Sequence, residues 1–274
     1  MTTTLRPTVP LQRGAGGDLS RHYEVCVNGR PVGSVQLATH PDFGPSVAWL
    51  EKIFIEEPDR GRGRGTVAAL AAEEVARGWG CTRLEASVPA DSPAAVRLGE
   101  ALGYTERNRS LRKALAEPAP ALPAGSKARP LTAAEYPRWY EAGRRRYQDT
   151  WVGQGLSEDE AGARAGREYA AALPEGLATP DQVIRVLEHE GRPVGTVWVT
   201  RRPLGGFVLN VLVEPEYRGR GHGRTLMRVA EAEVAALGCT EIMLNVFAHN
   251  TPAMRLYEQL GYRPVEHHLL KPLG

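Results

Sequence analysis

Cysteine is scarce in this 274-residue chain, which holds only Cys26, Cys81 and Cys239. The three residues form no Cys-x-x-Cys pair and no spacing that is typical of a zinc site. A small, odd number of cysteines is common in a reducing compartment and provides no disulfide framework. We therefore expect no disulfide and no metal site.

Long hydrophobic runs are also missing. No apolar segment approaches the roughly 20 residues that a membrane-spanning helix needs. Residues 1–17 lack the apolar core of a secretory signal. These absences predict a cytoplasmic protein with no membrane partner.

Charge of one sign is not in excess. The chain has 34 basic and 32 acidic residues, which leaves a net charge of +2. Binding to nucleic acid needs basic residues clustered on one face, and nothing in this balance demands such a cluster. We expect no nucleic-acid partner.

What the sequence does contain is an internal repeat. Arg60–Gly65 (RGRGRG) recurs as Arg218–Gly223 (RGRGHG), a shift of 158 residues. The same or a similar shift relates three further pairs of segments: 29–33 and 191–195, 80–82 and 238–240, 102–104 and 260–262. A period near 160 residues indicates a duplicated domain.

A proline-rich stretch over 117–125 separates the two copies and is typical of a semi-rigid linker. We predict an N-terminal domain over 1–116, a linker over 117–128 and a C-terminal domain over 129–274. The first and last of these stretches are called the first half and the second half below.

Strand and helix patterns alternate in both halves. In the second half they predict strands at 183–187, 194–199, 207–213, 241–246 and 267–270, and helices at 225–237 and 252–260. Two further helices, opened by capping boxes at Thr132/Glu135 and Ser157/Glu160, precede this pattern and have no room in the first half. The expected fold class is α/β (α+β) with a mixed sheet.

Each glycine-rich segment stands between an apolar strand and an amphipathic helix. Alternate glycines let the backbone curl closely around a ligand, and the N–H groups of a helix N-terminus favour phosphate oxygens. The spacing differs from that of a Walker loop and of a dinucleotide-binding fingerprint. A flexible Arg/Gly loop without a ligand is the alternative, and two copies in the same context disfavour it.

The second half resembles a known superfamily. Its Arg-x-x-Gly-x-Gly turn, followed by Asn250–Ala253 and Leu256–Tyr262, is similar to the motifs of GCN5-related N-acetyltransferases (GNAT). The repeat resembles tandem members of that superfamily, such as mycothiol synthases, although no residue singles out that substrate. The resemblance implies two tandem GNAT-like domains, each a mixed, largely antiparallel twisted sheet flanked by helices.

The same resemblance implies acetyl-CoA, or another acyl-CoA, as the cosubstrate and implies its binding residues. In the second half these are Val211, Val213, Arg218, Gly219, Arg220, Gly221, His222, Gly223, Arg224, Thr225 and Asn250. In the first half they are Ile53, Ile55, Arg60, Gly61, Arg62, Gly63, Arg64, Gly65 and Thr66.

The activity that the resemblance implies is transfer of an acetyl group to a primary amine of a small molecule by direct attack. The resemblance places Tyr257 at the position of the general acid. An unperturbed phenol is protonated at neutral pH and can donate to the CoA sulfur. Glu51 and His249 are the candidate bases, and water-mediated proton removal is open beside them. Under the shift of 158 the first half has Gly99 for Tyr257 and Ser92 for Asn250.

We therefore predict that the second half is catalytic and the first degenerate, in a monomer that forms an internal pseudo-dimer or in a homodimer. Four aromatic residues are candidates for the wall of the acceptor site: Trp139, Tyr140, Tyr147 and Trp151. Two alternatives stay open. One is an acyl-CoA-binding or regulatory protein without turnover, and the other is acetylation of a protein lysine or N-terminus.

Overall fold

The computed structural model describes residues 2–14, 16–116 and 121–274. The packing of the chain defines two units. Unit 1 comprises Met1–Leu111, Asn245–Met254 and Arg263–Gly274, and unit 2 comprises Arg112–Leu244 and Arg255–Tyr262. The segments predicted as strands and helices form a mixed α/β structure, and each unit is described by itself.

Unit 1 is a largely antiparallel sheet with two helices. Its strands are β1 (Thr3–Pro7), β2 (Gln12–Arg13), β3 (Leu19–Val27), β4 (Arg30–His40), β5 (Gly44–Ile55), β6 (Arg83–Pro89), the first seven residues of β7 (Thr105–Ala114) and β13 (Arg263–Pro272). They lie in the order β1-β3-β4-β5-β6-β13-β7, and β2 pairs with β3. Helix α1 (Arg64–Gly78) and helix α2 (Pro93–Ala101) complete the unit. Its core includes fully buried Val25, Val35 and Leu84.

Unit 2 repeats this plan with more helix. Its strands are β8 (Ser126–Pro130), β9 (Gln182–His189), β10 (Arg192–Arg202), β11 (Gly205–Val213) and the first four residues of β12 (Glu241–Phe247), in the order β12-β11-β10-β9-β8. Its helices are α3 (Tyr136–Val152), α4 (Glu158–Ala172), α5 (His222–Ala236) and the end of α6 (Thr251–Gln259). The predicted capping box opens α4, where the Ser157 side chain accepts from the N–H of Glu160. The buried face of α5 includes Leu226, Val229 and Val234.

The parallel pair in each unit separates part of the way along its length. Strand β5 pairs with β6 from Val47 to Leu50, and β11 pairs with β12 from Gly206 to Val208. A β-bulge follows at once in both, because the ladder to the neighbouring antiparallel strand skips Glu51 in β5 and Leu209 in β11. A bulge bends its strand and re-aims the local backbone. Each unit therefore has a notch where its parallel strands part.

The strand order reveals an exchange at the ends of the two halves. Strand β13, the last of the second half, pairs antiparallel with β6 in unit 1. The final three residues of β7, the last strand of the first half, belong to unit 2, where the N–H of Leu115 donates to the carbonyl of Thr240 at 2.9 Å. Each unit therefore contains strand residues that the other half of the sequence encodes.

An ion pair between a half-buried lysine and a buried glutamate accompanies each exchanged strand. In unit 1, Lys271 on β13 lies 2.7 Å from Glu73 on α1. In unit 2, Lys113 on β7 lies 2.7 Å from Glu231 on α5, and the Tyr262 hydroxyl donates to the same carboxylate at 3.1 Å. The two lysines are related by the shift of 158 residues, and so are the two glutamates. Each copy of the repeat therefore contains an equivalent ion pair.

The predicted segment bounds need corrections. Residues 126–128, assigned to the linker, begin strand β8. Helix α5 begins at His222 instead of Thr225 because Gly221, at φ 84°, ends the turn sooner. Residues 117–120 lie outside the described residues, and the proposed domain bounds 1–116 and 129–274 stay a prediction. No helix among the described residues is long and apolar enough to cross a membrane.

Candidate active site

The second glycine turn (218–223) leads directly into helix α5. Gly219 and Gly221 have φ values of 76° and 84°, which disfavour any residue with a Cβ. The turn leaves the first N–H groups of α5 without partners inside the helix, and a phosphate group is well suited to accept from them. This geometry fits the predicted contacts of Gly219, Gly221 and Gly223.

The arginines of this turn have different environments. Arg218 donates from Nε to the carbonyl of Val213 at 3.3 Å, and Arg224 donates to the side-chain oxygen of Gln259 at 2.8 Å. These two side chains therefore fasten the turn to β11 and to α6. Arg220 lies against the ring of Tyr217, 5.7 Å from its centroid.

Strand β11 continues past its bulge without a parallel partner. Val211 and Val213 pair with Val197 and Gly195 on β10, on the side opposite to the parted β12. At these two residues the other edge of β11 is not paired with β12. The predicted contact with an extended ligand requires such an unpaired edge. Both side chains are half-buried.

Tyr257 lies on α6, in the part of that helix that belongs to unit 2. Its ring is half-buried, 5.8 Å from the ring of Tyr262, and burial raises the pKa of its hydroxyl to about 12. Among the described residues no hydrogen bond to this hydroxyl is found. At neutral pH the phenol therefore holds its proton and has that proton free to donate.

Asn250 and His249 belong to the segment Asn245–Met254, which groups with unit 1. The Asn250 side chain accepts from the N–H of Ala253 at 3.3 Å, as a helix-capping residue does, and the His249 ring stacks on Phe247 with centroids 5.6 Å apart. Both residues are exposed. Their predicted roles stay predictions.

Unit 1 contains a cleft of about 500 Å³ where β5 and β6 part. Glu51 and Ile53 line it, together with residues of α1 and α2. Ile55, further along β5, lies 4.0 Å from the Cβ position of Gly65. The bulged Glu51 is exposed and faces the cleft beside Lys52.

The position that corresponds to Tyr257 is filled differently in unit 1. A Cβ added to Gly99 would lie 2.6 Å from Cδ1 of Leu269, a buried residue of β13. The space of the missing side chain is therefore taken by the exchanged strand. Gly99 itself has no side chain that could donate a proton.

The first glycine turn (60–65) has the same backbone but a different charge balance. Gly61 and Gly63 have φ values of 70° and 71°, and helix α1 begins at Arg64. Asp59, which is 3% exposed, accepts two hydrogen bonds from Arg30 at 2.8 and 3.1 Å and pairs with Arg64. The single negative charge of Asp59 therefore balances part of the positive charge around this turn.

Sequence reasoning missed Asp59. The signal was available in the repeat, because a shift of 158 residues matches Asp59 with Tyr217 and so marks a change of charge beside the turn. The partner Arg30 lies 29 residues earlier in the chain, which hides the pair from any local pattern.

The four aromatic residues proposed for an acceptor wall divide into two groups. Trp139 and Trp151 are buried, and Trp139 packs edge-on against Trp198 with centroids 5.4 Å apart. Tyr140 and Tyr147 are half-buried and, like the bulged Leu209, pack against this cluster. The cluster therefore lies on the face of β11 that carries the bulge. Of the four residues proposed for the wall, Tyr140 and Tyr147 are therefore the better exposed to a ligand.

Similarities to known proteins agree with this geometry. The acetyltransferase (GNAT) family matches residues 6–104 and 137–262. A mycothiol acetyltransferase of Thermobispora bispora is 32% identical over 226 residues, 73% of this chain and 68% of that protein. A mycothiol acetyltransferase of Saccharomonospora viridis is 28% identical, covering 95% of this chain and 87% of its own.

Solved structures share the fold. A GCN5-related N-acetyltransferase from Sphaerobacter thermophilus matches with a TM-score of 0.59 at 20% identity, over 92% of this chain and 80% of that chain. One from Kribbella flavida matches with a TM-score of 0.51 at 19% identity, over 99% and 91%. These likenesses concern the fold alone.

Proposed function

This chain belongs to the acetyltransferase (GNAT) family and is an acyltransferase, and from that premise we propose that its second half transfers an acetyl group from acetyl-CoA to a primary amine of a small molecule. The observation that carries this assignment is the contrast between Tyr257, a protonated phenol without a partner, and Gly99, whose space Leu269 fills. Of the two halves, the second alone has a proton donor at this position.

Binding is assigned to the second glycine turn and the free edge of β11. The first N–H groups of α5 hold pyrophosphate oxygens, helped by the partial positive charge of the helix N-terminus. Arg220 adds a charge-assisted donor. The edge of β11 at Val211 and Val213 offers backbone groups to the extended arm of the cosubstrate.

The chemistry needs a stabilised oxyanion and a protonated leaving thiolate. The bulge at Leu209 takes a backbone N–H out of the antiparallel ladder, which suits it to face a developing oxyanion. Tyr257 holds its proton at Oη and donates it to the sulfur of the leaving group. Direct attack by the amine requires no nucleophile from the protein.

The acceptor of the amine proton has three candidates: His249, Glu51 and water. His249 is exposed and neighbours Asn250, and a neutral imidazole can accept a proton. Glu51 lies in unit 1, whereas Tyr257 lies in unit 2. Single substitution of each, His249→Gln and Glu51→Gln, separates these candidates by the acid limb of the pH–rate profile.

The first half is proposed to bind acyl-CoA without turning it over. The cleft at Glu51 and Ile53 and the intact turn at 60–65 support this, whereas Asp59 weakens the attraction of the turn for phosphate. A non-catalytic, acyl-CoA-binding protein is the second candidate for the whole chain, because that is the role proposed for its first half.

The test is release of free thiol from acetyl-CoA in the presence of a panel of small amines. The deacetylated form of mycothiol comes first because of the relatives' names. We expect release with at least one small amine, and a fall in kcat of about 100-fold in Tyr257→Phe. Tyr23→Phe, a buried tyrosine of unit 1, is the matched control and should retain full activity. Acetyl-CoA binding without thiol release from any amine would favour the non-catalytic candidate, and acetylation of proteins alone would favour a protein acetyltransferase.

A further inference from the structure

A second cavity lies beside the second glycine turn, on the side of the β9–β10 hairpin. Its volume is about 410 Å³. The side chains that matter for its chemistry are His189, Glu190, Arg192, Tyr217, Arg220 and His222. All of them lie within unit 2.

The basic side chains that line the cavity outnumber its acidic side chains. Among the described residues no carboxylate lies within 4 Å of the guanidinium of Arg192 or of Arg220. His222 is 6% exposed, and its ring nitrogens make no hydrogen bond in the described part of the chain. Glu190, an exposed turn residue, is the one acidic side chain in the lining.

The histidines are fixed in place. The rings of His189 and His222 lie 5.0 Å apart, and Ser126 holds Nδ1 of His189 at 2.9 Å. His222 begins α5, and the Tyr217 ring stands 6.3 Å away. A buried imidazole without a hydrogen bond, in the lining of a cavity that Arg192 and Arg220 also line, indicates a missing partner.

The repeat identifies what kind of partner is missing. In unit 1 the residues that correspond to Arg192, Tyr217 and His222 are Arg30, Asp59 and Arg64. There the Asp59 carboxylate accepts from Arg30 and pairs with Arg64. Unit 2 keeps the arginine as Arg192, has a histidine in place of Arg64, and replaces the carboxylate with a tyrosine beside a cavity.

We propose that this cavity of unit 2 binds an oxyanion, a phosphate group, in the place that the Asp59 carboxylate occupies in unit 1. Arg192 and His222 are its counterparts of Arg30 and Arg64, and Arg220 adds a third cation. The phosphate group comes either from the cosubstrate or from a free phosphate ester. The inference stands whether or not the second half acetylates amines.

Binding is coupled to protonation of His222. Burial, and after it the nearby His189 and Arg220, lowers the pKa of His222 in the empty site. An anion beside the ring favours the charged form, so the site takes up a proton as it fills. The groups that face His222 are His189 from β9, Glu190 from the hairpin turn, Arg192 from β10, and Tyr217 and Arg220 from the turn. Anion affinity should therefore rise as pH falls, by at most about tenfold per pH unit for each proton taken up.

Sulfate is the first probe because it stays a dianion throughout this pH range, so that any pH dependence comes from the protein. Titration of the full chain with sodium sulfate, at constant ionic strength, is followed by the ring resonances of His222 in ¹H–¹⁵N spectra. We expect saturable shifts that strengthen from pH 8 to pH 6.

Tyr217→Asp places a carboxylate inside the site, as unit 1 has it, and should abolish sulfate binding. Arg192→Gln should weaken binding about tenfold or more, since a hydrogen bond to a charged group is lost. Arg167→Gln, an exposed arginine of α4, is the matched control and should bind as the parent chain does. Circular dichroism verifies that each variant is folded. Sulfate shifts that are absent, or that persist unchanged in folded Tyr217→Asp, would overturn the proposal.

Competition separates the two sources of phosphate. If the group belongs to the cosubstrate, sulfate competes with CoA, and Tyr217→Asp weakens CoA more than dephospho-CoA, which lacks the 3′-phosphate. If the group is a free ester, sulfate and CoA bind together, and inorganic phosphate reproduces the sulfate shifts. Both results support an anion site and differ only in what fills it.

Discussion

The two glycine turns have nearly the same sequence and the same left-handed glycines, yet their surroundings differ in charge. Around the first turn, buried Asp59 pairs with Arg30 and Arg64. Around the second turn, Tyr217 stands in the place of Asp59 and a cavity opens beside it. A motif fixes the backbone that can hold a phosphate, whereas one residue just before the motif determines how much positive charge is left for a ligand.

The position predicted for the general acid also differs between the two halves. Tyr257 keeps a proton on α6, whereas Gly99 on α2 has given its space to Leu269 of the exchanged strand. The first half thus has no side chain at position 99, and Leu269 occupies the space that such a side chain would need. We therefore predict that a tyrosine placed at position 99 would not by itself make the first half an active site.

The largest expected effect concerns the ion pairs of the exchanged strands. Lys113→Met leaves Glu231 buried without a cation among the described residues, which should cost about 3–5 kcal/mol of unfolding free energy. Lys271→Met should cost less, because Arg77 lies 3.8 Å from the same Glu73. Urea denaturation of the full chain measures both.

The control for these variants is Lys127→Met. Lys127 pairs with Glu188 at 2.9 Å but is largely exposed, so its loss should cost less than about 1 kcal/mol. Equal losses of unfolding free energy for Lys113→Met and Lys127→Met would show that the lysines do not stabilise the exchanged strands.

The next effect is a pH dependence confined to unit 1. His268 on β13 lies 2.9 Å from both Ser87 and Ser110, and burial lowers its pKa from 6.5 to about 4. The unfolded chain therefore binds this proton first as pH falls below 6.5. Stability should drop by about 2–3 kcal/mol between pH 6.5 and pH 4 for this reason alone.

Urea midpoints of the parent chain, of His268→Gln and of exposed His22→Gln across this range measure the effect. The His268→Gln variant should lose stability less steeply than the parent, whereas His22→Gln should follow the parent. Parallel curves for all three proteins would contradict a neutral, buried His268. At the corresponding position of β7 the repeat has Ser110, which does not titrate.

The order of strands and helices could be predicted from the sequence because periodicity and capping are local. Ser157 and Glu160 are three residues apart, and their box forms as predicted. The neighbour of β13 could not be predicted, because an alternating pattern determines which face is buried and not which strand lies alongside. The matched pairs Lys113/Lys271 and Glu73/Glu231 were the one sign of the exchange, and they show only when the repeat is applied to charged residues.

The candidate site divides in the same way. The glycine positions and Tyr257 follow from a motif that the resemblance carries. The structure gives Gly219 and Gly221 positive φ values and raises the pKa of the Tyr257 hydroxyl to about 12, and their roles stay predictions. The Asp59 network and the cavity at His222 depend on contacts over tens of residues, such as that of Arg30 with Asp59. No window along the sequence contains both partners.

The smallest expected effect tests whether the acid position of the first half is filled. Gly78 and Gly99 both lie in helices, but a Cβ at Gly78 meets nothing within 4 Å, whereas one at Gly99 meets Leu269 at 2.6 Å. Gly78→Ala should gain up to about 1 kcal/mol from helix propensity. In Gly99→Ala, overpacking should outweigh this gain. Its free energy of unfolding should therefore lie about 1–3 kcal/mol below that of Gly78→Ala.

A double variant shows whether Leu269 is responsible. Leu269→Val shortens the side chain that meets the new methyl group, so Gly99→Ala combined with Leu269→Val should be more stable than the sum of the two single changes, because residues in contact do not act additively. Urea denaturation of the four proteins gives this coupling. Additive effects, or a gain for Gly99→Ala equal to that of Gly78→Ala, would mean that the space beside α2 is open after all, and that the first half differs from the second by the missing phenol alone.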